Sequence, residues 1–186
     1  VEWQRCFSLD VPVAVNLSAV LFKDPAFSDS VISALEETGV RPEMLELELT
    51  VRILIQATDV VTRTLSRLQD LGVRLALDDF GKGYSSLEYI RLLPLQKLKI
   101  DRSFINKLEE DGSDAAIVSA ITVLGSKLGL TVLAEGVERQ SQLDLLVQEG
   151  CHEIQGFYFS PPVAPERVTE LRTEGDGCIR PASLAS

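Results

Sequence analysis

Apolar, β-branched runs alternate with amphipathic helical stretches about every 20–35 residues along this chain, and that rhythm limits its fold more than any other feature. The pattern predicts strands at Val13–Leu17, Leu45–Leu49, Val73–Leu77, Lys97–Ile100, Thr131–Ala134 and, briefly, Glu153–Gln155. Helical periodicity fills the gaps. Phe27–Thr38 starts after Asp24-Pro25 and stops at Gly39, and Gln140–Gln148 carries Leu143, Leu145 and Leu146 before Gly150. Asp59–Leu71 places Val60, Leu65, Leu68 and Leu71 at helical spacing before Gly72; Asp114–Leu128 does the same with Ile117, Ala120, Ile121 and Leu124 before Gly129. Strand–helix units in series build a parallel sheet with helical crossovers. The strands read as nearly continuous apolar runs, which predicts a sheet covered on both faces.

A doubly wound sheet and a (β/α) barrel both satisfy this rhythm. The barrel is favoured because Asn16, Glu48, Asp78-Asp79, Lys99, Glu135 and Gln155 sit at or just past the ends of successive strand patterns. Functional residues drawn from many strand ends mark a barrel, whereas an open sheet gathers them at one switch point. The expected fold is therefore α/β, a TIM-type (β/α) barrel with about six of the usual eight units. Residues 1–173 are expected to form one domain and residues 174–186, which hold Gly, Pro and Ser without periodicity, a loose tail.

Composition narrows the chemistry. With 28 acidic against 18 basic residues the net charge is −10, which opposes DNA or RNA binding but allows a small phosphate ligand held through cations. The single histidine, His152, removes most of the vocabulary of imidazole and zinc chemistry, so carboxylates, amides and lysines must serve instead. Cys6, Cys151 and Cys178 are odd in number and lack zinc-ligand spacing, which fits a reducing compartment. No apolar run approaches the roughly 18 residues of a membrane span. A cytoplasmic protein is expected, with membrane anchoring open through a segment outside this chain.

The densest signal is Leu75-Ala76-Leu77-Asp78-Asp79-Phe80-Gly81-Lys82-Gly83, an apolar run ending in paired carboxylates and a glycine loop. Carboxylates at the end of a buried strand need a compensating partner, and a divalent metal with oxygen preference supplies one. Plainer readings stand beside this one. Asp78 or Asp79 could cap the next turn and Asn16 could be a turn residue. One of Glu46 and Glu48 could face solvent, and Lys99 could be half of a structural ion pair. Glu135 could cap a helix, and Gln155 could merely precede a turn. Only joint placement on successive strands lifts them into a site.

Six segments in order carry a resemblance: Val15-Asn16-Leu17-Ser18-Ala19, Leu45-Glu46-Leu47-Glu48-Leu49-Thr50, Asp78-Asp79-Phe80-Gly81, Leu98-Lys99-Ile100-Asp101-Arg102-Ser103-Phe104, Ala134-Glu135-Gly136-Val137-Glu138 and Gln155-Gly156-Phe157-Tyr158-Phe159-Ser160. From about Val13 to Pro162 the chain resembles the EAL family of bacterial cyclic-di-GMP phosphodiesterases. The resemblance implies hydrolysis of cyclic di-GMP to linear pGpG with two Mg2+ or Mn2+ ions. It implies Asn16, Glu48 and Asp78 as ligands of one ion and Asp78, Asp79 and Glu135 as ligands of the other. Lys99 would hold or activate the attacking water, Gln155 would lie beside it, and Glu138 would stand near the guanine. Expected partners are cyclic di-GMP, a second copy in a homodimer, and a fused sensor or cyclase-like domain.

The chain departs from that pattern in three places. The Glu-Ala-Leu signature is absent, and the expectation is that a longer protein is seen in part; alone, the 186 residues would be unstable as a monomer or self-associate. Val51 stands where the family usually has a second Glu, and Lys82 where it has a small residue such as Thr or Ala. These leave three functions open: hydrolysis, binding of the dinucleotide without cleavage, or a structural remnant with neither.

Overall fold

The computed structural model of the protein describes residues 12–18, 21, 24, 26–51, 53, 59–82, 90, 93–110, 112–151, 153–164 and 167. His152, Cys6, Cys178 and the expected tail, 174–186, lie outside these residues. The strands are β1 (Val13–Asn16), β2 (Leu45–Thr50), β3 (Arg74–Phe80), β4 (Lys97–Ile100), β5 (Thr131–Glu135) and β6 (Glu153–Gln155), and their order in the sheet is that of the sequence. The α-helices are α1 (Phe27–Thr38), α2 (Asp59–Asp70), α3 (Arg102–Asn106), α4 (Gly112–Leu128) and α5 (Gln140–Gln148). Two compact units result, one holding β1 to Lys99 with Lys127–Thr131, the other Ile100–Ser126 with the residues from Val132 onward.

In the first unit β1, β2 and β3 pair in parallel, with Val13 opposite Leu45, Asn16 opposite Glu48, Glu48 opposite Ala76 and Thr50 opposite Asp78. Leu47, Leu49, Leu75 and Leu77 are buried along these strands. Gln96 splices the segment before β4 onto the sheet: its side chain accepts from Leu75 N–H at 2.7 Å, and its carbonyl accepts from Thr131 N–H at 2.9 Å. Helix α1 closes with Gly39 N–H on Leu35 O, and Arg67 of α2 ties to it through Ser28 Oγ and Asp29 at 2.9 and 2.7 Å.

Three expectations change. The buried stripe of α2 is Val61, Thr64, Leu65 and Leu68, while Val60 and Leu71 are exposed. That of α4 is Val118, Ile121, Thr122 and Gly125, with Ile117 exposed. Adjacent apolar residues offer two helical phases one position apart, and packing chooses between them. The third concerns β1: Val13 and Val15 remain 45% and 42% exposed, so the covered-sheet expectation holds for β2 and not for β1. Among the described residues no helix is long and apolar enough to cross a membrane.

In the second unit β5 and β6 pair in parallel, Leu133 with Glu153 and Glu135 with Gln155. Helix α3 starts at Asp101, whose carboxylate accepts from Ser103 N–H at 2.8 Å. Gln142 of α5 is buried, yet every polar atom has a partner. Its Oε1 accepts from the N–H groups of Glu138 and Arg139 at 2.9 and 3.0 Å, and its Nε2 donates to Ile105 O at 3.0 Å.

Candidate active site

Register decides which side chains share a face. Parallel strands put directly opposed residues on the same side, and residues two apart along a strand return to it. Asn16, Glu48 and Ala76 are opposed in turn, and Asp78 lies two beyond Ala76, so β1, β2 and β3 present Asn16, Glu48 and Asp78 on one face. Lys99 completes the set from β4. Its ammonium stands 2.5 Å from Glu48 Oε1 and 3.7 Å from Asp78 Oδ1. Ala76, fully buried and small, leaves room for this bridge to cross β3.

Glu46 and Glu48 share that face too, because they are two residues apart. The reading that one of them faces solvent is corrected: both are buried, and Glu46 Oε2 pairs with Lys97 Nζ at 2.9 Å. Two carboxylate–lysine pairs are thus stacked one layer apart. Removing one member of a buried pair costs about 3–5 kcal/mol, because it strands the other charge.

Asp79 behaves differently. The expected strand ended at Leu77, but β3 runs to Phe80 and contains both aspartates. Asp79 has φ +56, a left-handed conformation that aspartate tolerates better than most residues. Its N–H donates to Asp78 Oδ1 at 2.8 Å and its carbonyl accepts from Lys82 N–H at 3.3 Å. The carboxylate is engaged by Lys82 Nζ at 3.2 Å. Val51 is buried.

In the second unit Glu135 ends β5 opposite Gln155, which puts their side chains on one face. The loop after them is tightly built. A Cβ on Gly136 would lie 2.6 Å from Arg102 Cβ, and one on Gly156 would lie 2.1 Å from Val137 O. Val137 N–H donates to Gln155 O at 3.1 Å and Tyr158 N–H to Val137 O at 2.9 Å, binding the two strand ends together. Glu138 is exposed, its backbone held by Gln142.

The donor chemistry of the first unit fits a hard divalent cation: an amide and two carboxylates on one face, with a cation, the Lys99 ammonium, already against two of them. Among the described residues no three His, Cys, Asp or Glu side chains form a metal-holding cluster, so the expected Asp78, Asp79 and Glu135 set rests on the family resemblance alone. Sequence reading overlooked Gln96, Gln142 and the Glu46–Lys97 pair. Period-two spacing of Glu46-x-Glu48 against Lys97-x-Lys99 was the signal that could have revealed the last.

The EAL domain family model matches residues 1–162. The chain belongs to the EAL domain family. Its fold class is accordingly that of the EAL domain, a TIM-type (β/α) barrel, with six of the parallel strands among the described residues. A bifunctional diguanylate cyclase/cyclic di-GMP phosphodiesterase, MucR of Pseudomonas aeruginosa, is 45% identical over 159 residues, covering 86% of this chain and 23% of that protein. The solved structure of the PaMucR phosphodiesterase in complex with c-di-GMP superimposes with a TM-score of 0.84 at 43% identity, covering 89% of this chain and 67% of the other. BlrP1 of Klebsiella pneumoniae, solved as a manganese/cy-diGMP complex, matches with a TM-score of 0.76 at 33% identity, over 81% of this chain and 39% of the other. The chain spans 25%, 20% and 23% of the length of three curated relatives.

Proposed function

We propose that this EAL domain, residues 1–173, hydrolyses cyclic di-GMP to linear pGpG with two Mg2+ or Mn2+ ions. The observation that carries the reading is the Lys99 ammonium held between buried Glu48 and half-buried Asp78, in a chain whose relatives include named cyclic-di-GMP phosphodiesterases. Asn16, Glu48 and Asp78 would hold one ion, and Asp78, Asp79 and Glu135 the other. Bound ions of this kind acidify a water and neutralise phosphate charge.

The remaining work falls to the chain. Water adds to one phosphorus while the bond to one ribose oxygen breaks; the water gives up a proton, the leaving oxygen takes one up as a hydroxyl, and the ring opens at one of its phosphodiester links. Lys99, fixed by Glu48, orients the attacking water and offsets charge gathering on the phosphoryl oxygens. Gln155 hydrogen-bonds that water from β6, and Glu138 accepts from the guanine edge. The fused sensor or cyclase-like domain, the homodimer and the cytoplasmic setting belong to the same proposal.

The test is product analysis. The intact protein with Mn2+ and cyclic di-GMP should form pGpG, and Asp78→Asn should lower turnover about 100-fold or more. Undiminished turnover in Asp78→Asn overturns the scheme.

A second reading, reception without cleavage, draws on the buried Val51 and on the Lys82 ion pair at Asp79. Misplacement of a reacting group by about 1 Å can cost 100-fold in rate. Calorimetry that finds cyclic di-GMP bound and intact would select this reading.

A further inference from the structure

Lys82 lies two residues past β3. The turn that begins at Asp79 folds it back: Asp79 takes a left-handed φ of +56, its carbonyl accepts Lys82 N–H, and the ammonium arrives 3.2 Å from Asp79 Oδ1. The carboxylate proposed for the second ion therefore already has a cation on it.

We propose that Lys82 is a built-in competitor for divalent cations at Asp79, so that metal must displace its ammonium and binds more weakly for it. The inference rests on the metal-dependent reading above and concerns how tightly that site holds its ion. An ammonium and a divalent cation cannot share the same oxygen lone pairs, and a lysine left beside a bound ion repels it.

Exposure separates Lys82 from the other lysine at the site. Lys99 is 5% exposed and braces two carboxylates, so its loss would strand buried charge. The Lys82 and Asp79 side chains are 51% and 44% exposed. Such a pair is screened by salt and weak enough to open. Lys82 thus sets a threshold of free Mg2+ or Mn2+ rather than sealing the site.

Mn2+ binding to the intact protein, followed by calorimetry at low ionic strength, tests this without reference to turnover. The quantity to read is the component abolished by Asp78→Asn. Lys82→Ala should bind Mn2+ roughly two- to fivefold tighter than wild type, and Lys82→Arg should match wild type. The gain should shrink at about 0.5 M salt, where exposed charges are screened over only a few ångströms. Equal or weaker affinity in Lys82→Ala overturns the inference and leaves the metal-dependent reading standing. Absence of any Asp78-sensitive component, in wild type and Lys82→Ala alike, overturns both.

Discussion

Glu48, Asp78 and Lys99 stood out because each interrupts an apolar run. Glu46 and Lys97, each two residues before Glu48 and Lys99, pair with each other on the same face. Cys151, by contrast, is fully buried, and its thiol donates to Val132 O at 3.6 Å. Burial pushes its thiol up to about 11, aided by the Glu153 carboxylate, and its Sγ lies 3.5 Å from Glu153 O. The folded state thus holds this proton more tightly than the unfolded chain, whose thiol ionises near 9. Its contribution is complete below pH 9 and disappears as pH rises through about 11. Thermal melts across that window should show wild type losing about 2 kcal/mol more than Cys151→Ala. Parallel pH profiles for the two proteins would contradict this.

Elements were legible where local chemistry marks both ends. Helices α1 and α5 and strands β4 and β6 fall on their expected bounds, each with a glycine stop or an abrupt change of hydropathy to define it. Helix α3 has five residues and no period to detect, so it went unseen; its start depends on the Asp101 cap. The joint after β6 gives the sharpest test at this scale. A Cβ at Gly156 would sit 2.1 Å from Val137 O and 2.3 Å from Val137 N, which are backbone atoms that cannot swing aside. Gly156→Ala should cost about 1–3 kcal/mol and lower the melting temperature by about 3–10 °C. Gly112→Ala is the matched control, since nothing lies within 4 Å of its would-be Cβ, and it should melt at or above wild type. Similar melting of the two variants would refute the packing argument.

For the whole molecule, the acidic balance and the oxygen-only donor set predict a protein whose stability depends on divalent cations. Anything bound by the folded state alone stabilises it by mass action, about 2.7 kcal/mol at 100 times its dissociation constant. Saturating Mn2+ should therefore raise the melting temperature by about 5–10 °C. Asp78→Asn should lose that rise, and a shift unaffected by Asp78→Asn would place the ion elsewhere.

Read alone, the chain settled what lies close along it. The existence of the six strands and of the longer helices follows from signals a few residues wide, because glycine stops and apolar periodicity act locally. Tertiary structure decided which charge meets which. Lys99 reaches Glu48 across 51 positions, and Glu46 finds Lys97 rather than water. Those pairings depend on strand register and on the small Ala76 between them, and register is set by hydrogen bonds between strands. Lys82 is the instructive middle case. It is only three residues from Asp79, yet their pairing required the backbone to turn left-handed at an aspartate, which no hydrophobic pattern announces.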